Sequence, residues 1–369
     1  MVGLAVMSML NGADRGSPAI ETLVRKGALI SLEQAQMPRL EEWKRQGFVA
    51  IALMLTGSDG EEELQAARAI RDAGLELDYW IEIARNSALA DAHPEWMASI
   101  QTHEEWRRFF PDVPRPKTGE VVKVYPWVPV LYEETFKVHL QRVESLLSRM
   151  PTPRRLFLND LQGAPSACGC GHPLCRWTTD YGPLKTATRS PDNAAAKFVV
   201  EMKQRLPDSD VVPIWTTECE AHDKDGLCGG VGCFNGACWR EWTAQLTPLA
   251  AEAGRIGALL PYRAFDRDLA VYGKPAGWVA DALTSFQTMP AKYGSQGVGP
   301  NRLIAVVQGW SVSPEQVKAQ MARSMEAGGG DMLVSFAEIE QSWEPRIIPV
   351  KSPPPSSNGG WPVTHGRGK

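Results

Sequence analysis

Cysteine is the residue type whose spacing in this chain most clearly indicates chemistry. All seven cysteines fall between positions 168 and 238, in the segments CGCGHPLC and CEAHDKDGLCGGVGCFNGAC. Thiolates favour zinc or iron–sulfur clusters, and glycine beside a ligand lets the backbone turn so that neighbouring sulfurs point inward. The predicted metal ligands are Cys168, Cys170, Cys175, Cys219, Cys228, Cys233 and Cys238.

Disulfides are the competing interpretation of these cysteines. They cannot use all seven, because the count is odd. A disulfide between Cys168 and Cys170 would also close a small, strained ring. Metal binding is therefore favoured, while free thiols, or a metal site together with one disulfide from the second segment, stay open.

Zinc is the favoured metal. Zinc takes four ligands in a tetrahedron, and Cys168, Cys170 and Cys175 with either Cys219 or His172 would supply them. An Fe-S cluster is the alternative, but the spacings match neither of the two common ferredoxin patterns. A structural metal is favoured over a catalytic one, since glycine-rich loops of this kind need a ligand to hold their shape.

Acidic residues form the second group with chemical potential. Glu82, Asp160, Glu218 and Glu338 each lie at the carboxyl end of a predicted strand, and Asp160 and Glu218 follow consecutive strands. Glycoside hydrolysis requires two carboxylates beside one bond, of which one protonates the leaving oxygen and the other attacks or activates water. The alternative is that these acids cap helices or form salt bridges at the rim.

Polar and aromatic residues near these acids are predicted to bind a carbohydrate or another small polar substrate. Arg85 and Asn159 would orient it, and tryptophan rings would stack on sugars. The alternative for the tryptophans is core packing. The predicted stacking residues are Trp80, Trp215 and Trp310, with Trp127 as a further one.

The elements that position these residues alternate between strands and helices. Continuous apolar runs indicate buried parallel strands, and no GxGxxG turn indicates a dinucleotide-binding open sheet. Eight strands in strict alternation with helices predict an α/β fold of the (β/α)₈ TIM barrel type. The predicted strands are Gly27–Gln34, Phe48–Thr56, Leu75–Arg85, Arg155–Asp160, Asp210–Thr217, Arg255–Phe265, Arg302–Trp310 and Asp331–Glu340.

The remaining segments complete the predicted organisation. Residues 1–26 form an N-terminal segment, residues 27–350 the barrel, and residues 351–369 a disordered tail rich in proline and glycine. A long insertion rich in tryptophan and proline, residues 86–132, follows the third strand and is predicted to be an irregular lid. Met1–Leu10 is apolar but lacks a basic start, so a buried segment is favoured over a poor or truncated signal peptide.

Composition excludes some classes of partner. The net charge is −4 with no basic stripe, which argues against nucleic acid. No apolar run approaches the roughly 20 residues of a membrane helix. The compartment, cytoplasmic or exported to the periplasm, and the oligomeric state are not determined by these features.

Four segments carry a resemblance to a family. DYWIEIARNSALADAHPEWM (Asp78–Met97), KVYPWVPVLYEETFKVHL (Lys123–Leu140), FLNDLQG (Phe157–Gly163) and ACGCGHPLCRW (Ala167–Trp177) resemble segments of uncharacterised bacterial glycoside-hydrolase-like barrels. The resemblance implies a carbohydrate-active barrel. By analogy with amylase-type barrels it implies that Asp160 is the nucleophile and Glu218 the acid, although Gln308 replaces the acid that such barrels carry on the seventh strand.

The sequence thus favours a glycoside hydrolase with a carboxylate pair and a nearby cysteine-bound metal. Two alternatives stay open. One is a metalloenzyme or redox protein in which the metal performs the chemistry. The other is a non-catalytic barrel that binds glycans or builds a larger assembly, which the missing acid at Gln308 favours.

Overall fold

A computed structural model of the chain describes residues 24–98, 107, 110–161, 194–216, 236–260, 278–328, 330–340 and 342–349. Eight parallel strands close into a barrel in the order β1-β2-β3-β5-β6-β7-β8-β9. The strands are β1 Lys26–Ile30, β2 Ala50–Leu55, β3 Glu76–Glu82, β4 Glu120–Tyr125, β5 Arg155–Asn159, β6 Asp210–Thr216, β7 Ile256–Leu260, β8 Leu303–Gln308, β9 Asp331–Ser335 and β10 Glu344–Pro349.

Helices lie between the barrel strands, as the alternating pattern predicts. The helices are α1 Met37–Arg45, α2 Gly60–Asp72, α3 Ser87–Ala92, α4 Glu133–Leu147, α5 Ala194–Arg205, α6 Gly236–Glu252, α7 Trp278–Lys292 and α8 Pro314–Glu326. The predicted (β/α)₈ fold is confirmed, and every predicted strand corresponds to a barrel strand. In the described part of the chain, no helix is long and apolar enough to span a membrane.

The predicted end of the first strand is wrong. It was expected to continue to Gln34, but β1 ends at Ile30 and a short 3₁₀ helix occupies Leu32–Gln34. Gln34 stabilises the start of this helix, because its side-chain oxygen accepts a hydrogen bond from the backbone N–H of Ser31 at 3.0 Å.

The insertion after β3 is more regular than predicted. It contains β4, which pairs antiparallel with β10 along its whole length. The expectation of an irregular lid is therefore wrong for this part of the insertion. The strand was missed because its partner lies far along the chain. Lys123 of β4 is buried, and its ammonium group donates a hydrogen bond to the carbonyl oxygen of Met97 at 2.9 Å. This contact joins β4 to an earlier part of the insertion.

Two apolar layers surround the strands. An inner cluster draws side chains from all eight barrel strands and none from the helices, so it fills the barrel interior; Leu29, Trp80 and Phe157 belong to it. An outer cluster contains the alternate strand residues, such as Tyr79 and Leu158, together with the buried faces of the helices. Alternate side chains of a strand point to opposite faces, so each strand contributes to both layers.

Charged residues close the barrel interior at the amino ends of the strands. Arg155 is buried and pairs with Asp331 at 2.5 Å, while its backbone N–H donates to Asp78 at 3.0 Å. Arg25 donates to Asp78 at 2.8 Å, and Arg255 lies 2.6 Å from Asp210. Cations and acids alternate in this group, so their charges balance. The candidate site lies at the opposite end of the barrel, at the carboxyl ends of the strands.

Candidate functional site

Glu82 ends β3 at the carboxyl rim of the barrel. Both of its side-chain oxygens accept a hydrogen bond: one from the indole N–H of Trp80 at 2.6 Å, the other from the amide of Asn159 at 2.8 Å. Trp80 and Asn159 point into the barrel from the adjacent strands β3 and β5. Two donors on neighbouring strands therefore fix the carboxylate of Glu82 in one orientation.

Asp160 follows the last residue of β5 and lies next to Glu82. Its backbone φ is 58°, a left-handed conformation that few residues other than glycine adopt, with aspartate and asparagine among the exceptions. The side chain is only 8% exposed, and its Oδ2 has no hydrogen-bond partner among the residues that the structure describes. Such strain and an unpaired buried polar atom are often found together at functional sites.

The surroundings of Asp160 favour its protonated form. Burial raises the pKa of this carboxyl well above its usual value, and the negative charge of the nearby Glu82 raises it further. The nearby Arg85 lowers the pKa by a smaller amount. Asp160 therefore holds its proton more tightly than an ordinary aspartate does.

Arg142 is a residue of this site that the sequence did not indicate. It lies on α4, and its guanidinium donates to the backbone carbonyl oxygens of Glu82 at 2.6 Å and Ile83 at 3.3 Å. Burial lowers the pKa of Arg142 to about 10, so it remains a cation at neutral pH. It fixes the end of β3 and places a positive charge behind Glu82. The sequence of α4 does not identify Arg142 as a site residue, because the carbonyl oxygens that it contacts lie at the end of β3.

Arg85, predicted to bind substrate, is engaged with the protein. It pairs with Glu340 at 2.5 Å and donates to the carbonyl oxygen of Ser342 at 2.5 Å. Its guanidinium also lies 5.1 Å from the ring of Trp127. Arg85 thus joins the rim beside Asp160 to the segment that leads into β10.

The comparisons with known proteins reach no further than the fold. No protein-family model and no curated protein matches the sequence. The spore cortex-lytic enzyme SleL of Bacillus megaterium is similar at 8% identity and a TM-score of 0.44, over 84% of this chain and 70% of that one. SleL of Bacillus cereus matches at 9% identity and 0.36, over 77% of this chain and 51% of that one, so the chain spans about half its length.

A third solved structure belongs to a different class of enzyme. Dihydropteroate synthase of Thermus thermophilus is similar at 10% identity and a TM-score of 0.35, over 85% of this chain and 87% of that one. The barrel is therefore established by the closed strand order of this chain itself, and its substrate is not indicated by these similarities.

The predicted stacking tryptophans are buried, which corrects the prediction made for them. Trp80 and Trp127 are fully covered, and Trp310 is 9% exposed at the top of the inner cluster. Trp215 is 1% exposed and packs in the outer cluster, against the helices. A ring that is covered by protein cannot stack on a sugar. These residues pack the core, and Trp80 additionally holds Glu82.

Two further residues that bear on the sequence prediction lie at the ends of β8 and β9. Glu338 follows β9 and is exposed. Gln308 at the end of β8 is fully buried, and its amide donates to the carbonyl oxygen of Trp310 at 3.0 Å. Gln308 therefore shapes the loop after β8, at the place where the resemblance expected an acid.

Glu218 and six of the cysteines lie outside the described residues, as does the side chain of Cys238 on α6. Among the residues that are described, no group of three or more histidine, cysteine or acidic side chains forms a metal site. The two cysteine-bearing segments leave from adjacent strands, β5 and β6, and return to helices that pack on each other, α5 and α6. Their convergence at the rim stays a prediction that this strand order favours.

Proposed function

We propose that the chain is a carbohydrate-active hydrolase that cleaves a glycosidic bond, with Asp160 as the proton donor. The observation that supports the proposal most directly is the buried carboxyl of Asp160 at the carboxyl rim, kept protonated by burial and by Glu82. A general acid must hold its proton near the working pH and release it to the leaving oxygen. Barrel enzymes place such groups at this end of the strands.

Glu82 positions Asp160 and raises its pKa. The two carboxyls of a glycosidase stand roughly 5 to 10 Å apart, so that the sugar or a water fits between them. Glu82 lies beside Asp160, at the end of the adjacent strand, and its two side-chain oxygens already accept hydrogen bonds from Trp80 and Asn159. Glu82 is therefore a positioning residue for the acid, held in turn by Trp80, Asn159 and Arg142.

The second carboxylate of the proposal is Glu218. It follows β6, the strand adjacent to β5, so it belongs to the neighbouring loop of the same rim. The resemblance implies that Asp160 is the nucleophile and Glu218 the acid. The raised pKa of Asp160 favours the opposite assignment, because a nucleophile must be ionised.

The experiment compares Asp160→Asn with the wild type on glycosides that differ in their leaving group. Loss of a general acid lowers the rate strongly when the leaving group needs a proton to depart. It lowers the rate much less when the leaving group is stable as an anion. We expect the variant to lose about 10²- to 10⁴-fold in kcat/KM on an unactivated oligosaccharide, and far less on a dinitrophenyl glycoside of the same sugar. Circular dichroism checks that the variant is folded.

The matched control is Asp72→Asn. Asp72 is exposed at the end of α2, on the opposite side of the barrel from the rim. This variant should keep wild-type activity on both substrates. An equal loss of Asp160→Asn on the two substrates would make Asp160 the nucleophile, and full activity would remove it from the mechanism. Binding of glycans by the wild type without turnover would favour the non-catalytic alternative.

A further inference from the structure

A cavity of about 600 Å³ lies on the outside of the barrel, between α1 and α8. Its floor and walls are apolar, and the residues that form them include Trp43, Phe48, Val317, Met321 and Phe336. The ring of Phe336 lies 5.8 Å from the rings of both Trp43 and Phe48. We call this cavity the α1–α8 groove.

The groove lies where a complete barrel carries its eighth helix. In this fold every strand is followed by a helix that packs outside it. β9 pairs with β1, so a helix after β9 would lie between α8 and α1. Instead, the chain continues through residues 336–340 and 342–343 without a helix and enters β10, which pairs with β4. α1 packs on α2 and α8 on α7, so the ring of helices has its gap at the groove.

Exposed apolar side chains lie on the same elements. Of the large apolar residues in the described part of the chain, the most exposed are Met37 at 44%, Val49 at 47% and Met325 at 51%. Met37 begins α1, Met325 belongs to the last turn of α8, and Val49 follows Phe48. These three side chains do not line the groove, but they add exposed apolar surface to the segments that border it, as expected where another segment packs.

We propose that Met1–Leu10 packs into the α1–α8 groove and substitutes for the eighth helix. Eight of these ten residues are methionine, valine, leucine or alanine, and none carries a charged side chain. The chain enters β1 beside the groove, because Val24 packs against the outer cluster and Lys26 lines the groove. The thirteen residues between Leu10 and Val24 are enough for the chain to turn back, since an extended residue spans about 3.3 Å.

The dimensions are compatible with this occupant. Ten residues in a helix are about 15 Å long, somewhat shorter than the roughly 20 Å of α8 beside it. The C-terminal residues 351–369 fit less well, because they contain four prolines and more basic than acidic residues. The rim of the groove is itself basic, with Lys26, Arg39 and Lys318. These cations would repel the basic C-terminal segment, whereas the side chains of Met1–Leu10 carry no charge to be repelled.

The experiment places a photo-crosslinking amino acid, p-benzoylphenylalanine, at Lys318 in the full chain. Lys318 is exposed and lines the groove, whereas the neighbouring Ala319 is exposed but does not line it. We expect irradiation of the position-318 variant to give crosslinked peptides that contain residues from Met1–Leu10 within one chain. The variant at Ala319 is the matched control and should give few or none.

A second variant tests the apolar character of the contact. Leu4→Asp combined with Val6→Asp should lower the crosslink yield from position 318 roughly tenfold or more, because an unpaired charge is costly to bury. An unchanged yield contradicts the proposal. Crosslinks to residues 351–369, or to a second copy of the chain, would assign the groove to that occupant instead, and no crosslink to Met1–Leu10 would overturn the proposal. None of these outcomes depends on the activity proposed for Asp160.

Discussion

Asp160 directly follows β5 and lies beside Glu82, which ends the adjacent strand β3. Burial and the negative charge of Glu82 both favour the protonated form of Asp160. Glu82 accepts two hydrogen bonds from protein donors, whereas Oδ2 of Asp160 is buried and has no hydrogen-bond partner among the described residues. Asp160 therefore holds its proton more tightly than an exposed aspartate does.

The first prediction concerns the titration of Asp160. Glu82→Gln removes a neighbouring negative charge, so the pKa of Asp160 should fall while burial keeps it above 3.8. Arg85→Met removes a positive charge and should raise the same pKa further. Carbon NMR of labelled aspartate side chains measures both shifts. Glu338→Gln, at an exposed rim position, is the control, and shifts of the same sign in the Glu82 and Arg85 variants would contradict the assignment.

The second prediction concerns stability. The folded-state pKa of Asp160 is raised above 3.8, so the folded protein binds this proton more tightly than the unfolded chain does. The contribution of Asp160 to stability is complete below pH 3.8 and is lost as the pH rises towards the folded-state pKa. Asp160→Asn should therefore be more stable than the wild type at pH 7 and gain little at pH 4. Urea unfolding at both values measures this, and a variant less stable at pH 7 would contradict it.

The fold was predictable from the sequence because its signals are local. Runs such as FVAIALMLT are buried on both faces, and only parallel barrel strands between helices require this. Because both faces of these strands are apolar, the sequence does not show which side chains point into the barrel and which point towards the helices. Trp80 points inward and Trp215 outward, and the sequence does not distinguish them. The strand β4 was missed because it is stabilised by β10, more than two hundred residues later.

The site was predictable only in part, for a similar reason. The positions of Glu82, Asn159 and Asp160 follow from the rule that strand ends meet at one rim. The contact of Arg142 with the carbonyl oxygen of Glu82 joins residues 60 positions apart, and depends on how α4 packs against β3. No spacing within one element contains that information, so only the packed structure reveals it.

The third prediction tests the cysteines. Elemental analysis of the purified chain should find zinc in roughly equimolar amount, without colour. Cys170→Ser should lower the zinc content, whereas Ser166→Ala, four residues earlier, should not. Bound iron with absorption near ~400 nm would identify an iron–sulfur cluster. Absence of any metal, with the cysteines oxidised in pairs, would contradict the metal site.

The fourth prediction uses a buried histidine. His139 on α4 is fully buried, with its Nε2 at 2.8 Å from the carbonyl oxygen of Val128. Burial lowers the pKa of His139 to about 3 from 6.5, so the folded state excludes a proton that the unfolded chain binds. Stability should be complete above pH 6.5 and fall with decreasing pH towards 3, by up to about 1.4 kcal/mol per pH unit for this one proton.

The variant His139→Gln should remove this part of the pH dependence while keeping a donor for Val128. Urea unfolding between pH 7 and pH 4 compares the slopes. His93→Gln replaces a half-exposed histidine that stacks on Trp96 at 3.8 Å. If this control flattened the slope as much as His139→Gln does, the effect would not belong to the buried ring.

The fifth prediction addresses the charged residues at the amino ends of the strands. Arg155→Met keeps the length of the side chain but removes the buried guanidinium that pairs with the partly buried Asp331 at 2.5 Å. Removing one partner of a buried ion pair costs about 3 to 5 kcal/mol. The loss here should lie at or below the lower end of that range, because Asp331 is 20% exposed and Arg255 lies 4.0 Å from it. The same change at Arg45, whose pair with Glu42 is exposed, should alter stability by less than about 0.5 kcal/mol.

A second substitution separates charge from packing at Arg155. If the loss arises from the orphaned acid, Asp331→Asn should be destabilising in the wild type but should recover part of the stability in the Arg155→Met background. If the loss arises from packing alone, Asp331→Asn will cost the same in both backgrounds. Urea unfolding of the four proteins gives the interaction energy directly, and a value near zero would show that the alternating charges do not stabilise the barrel as a group.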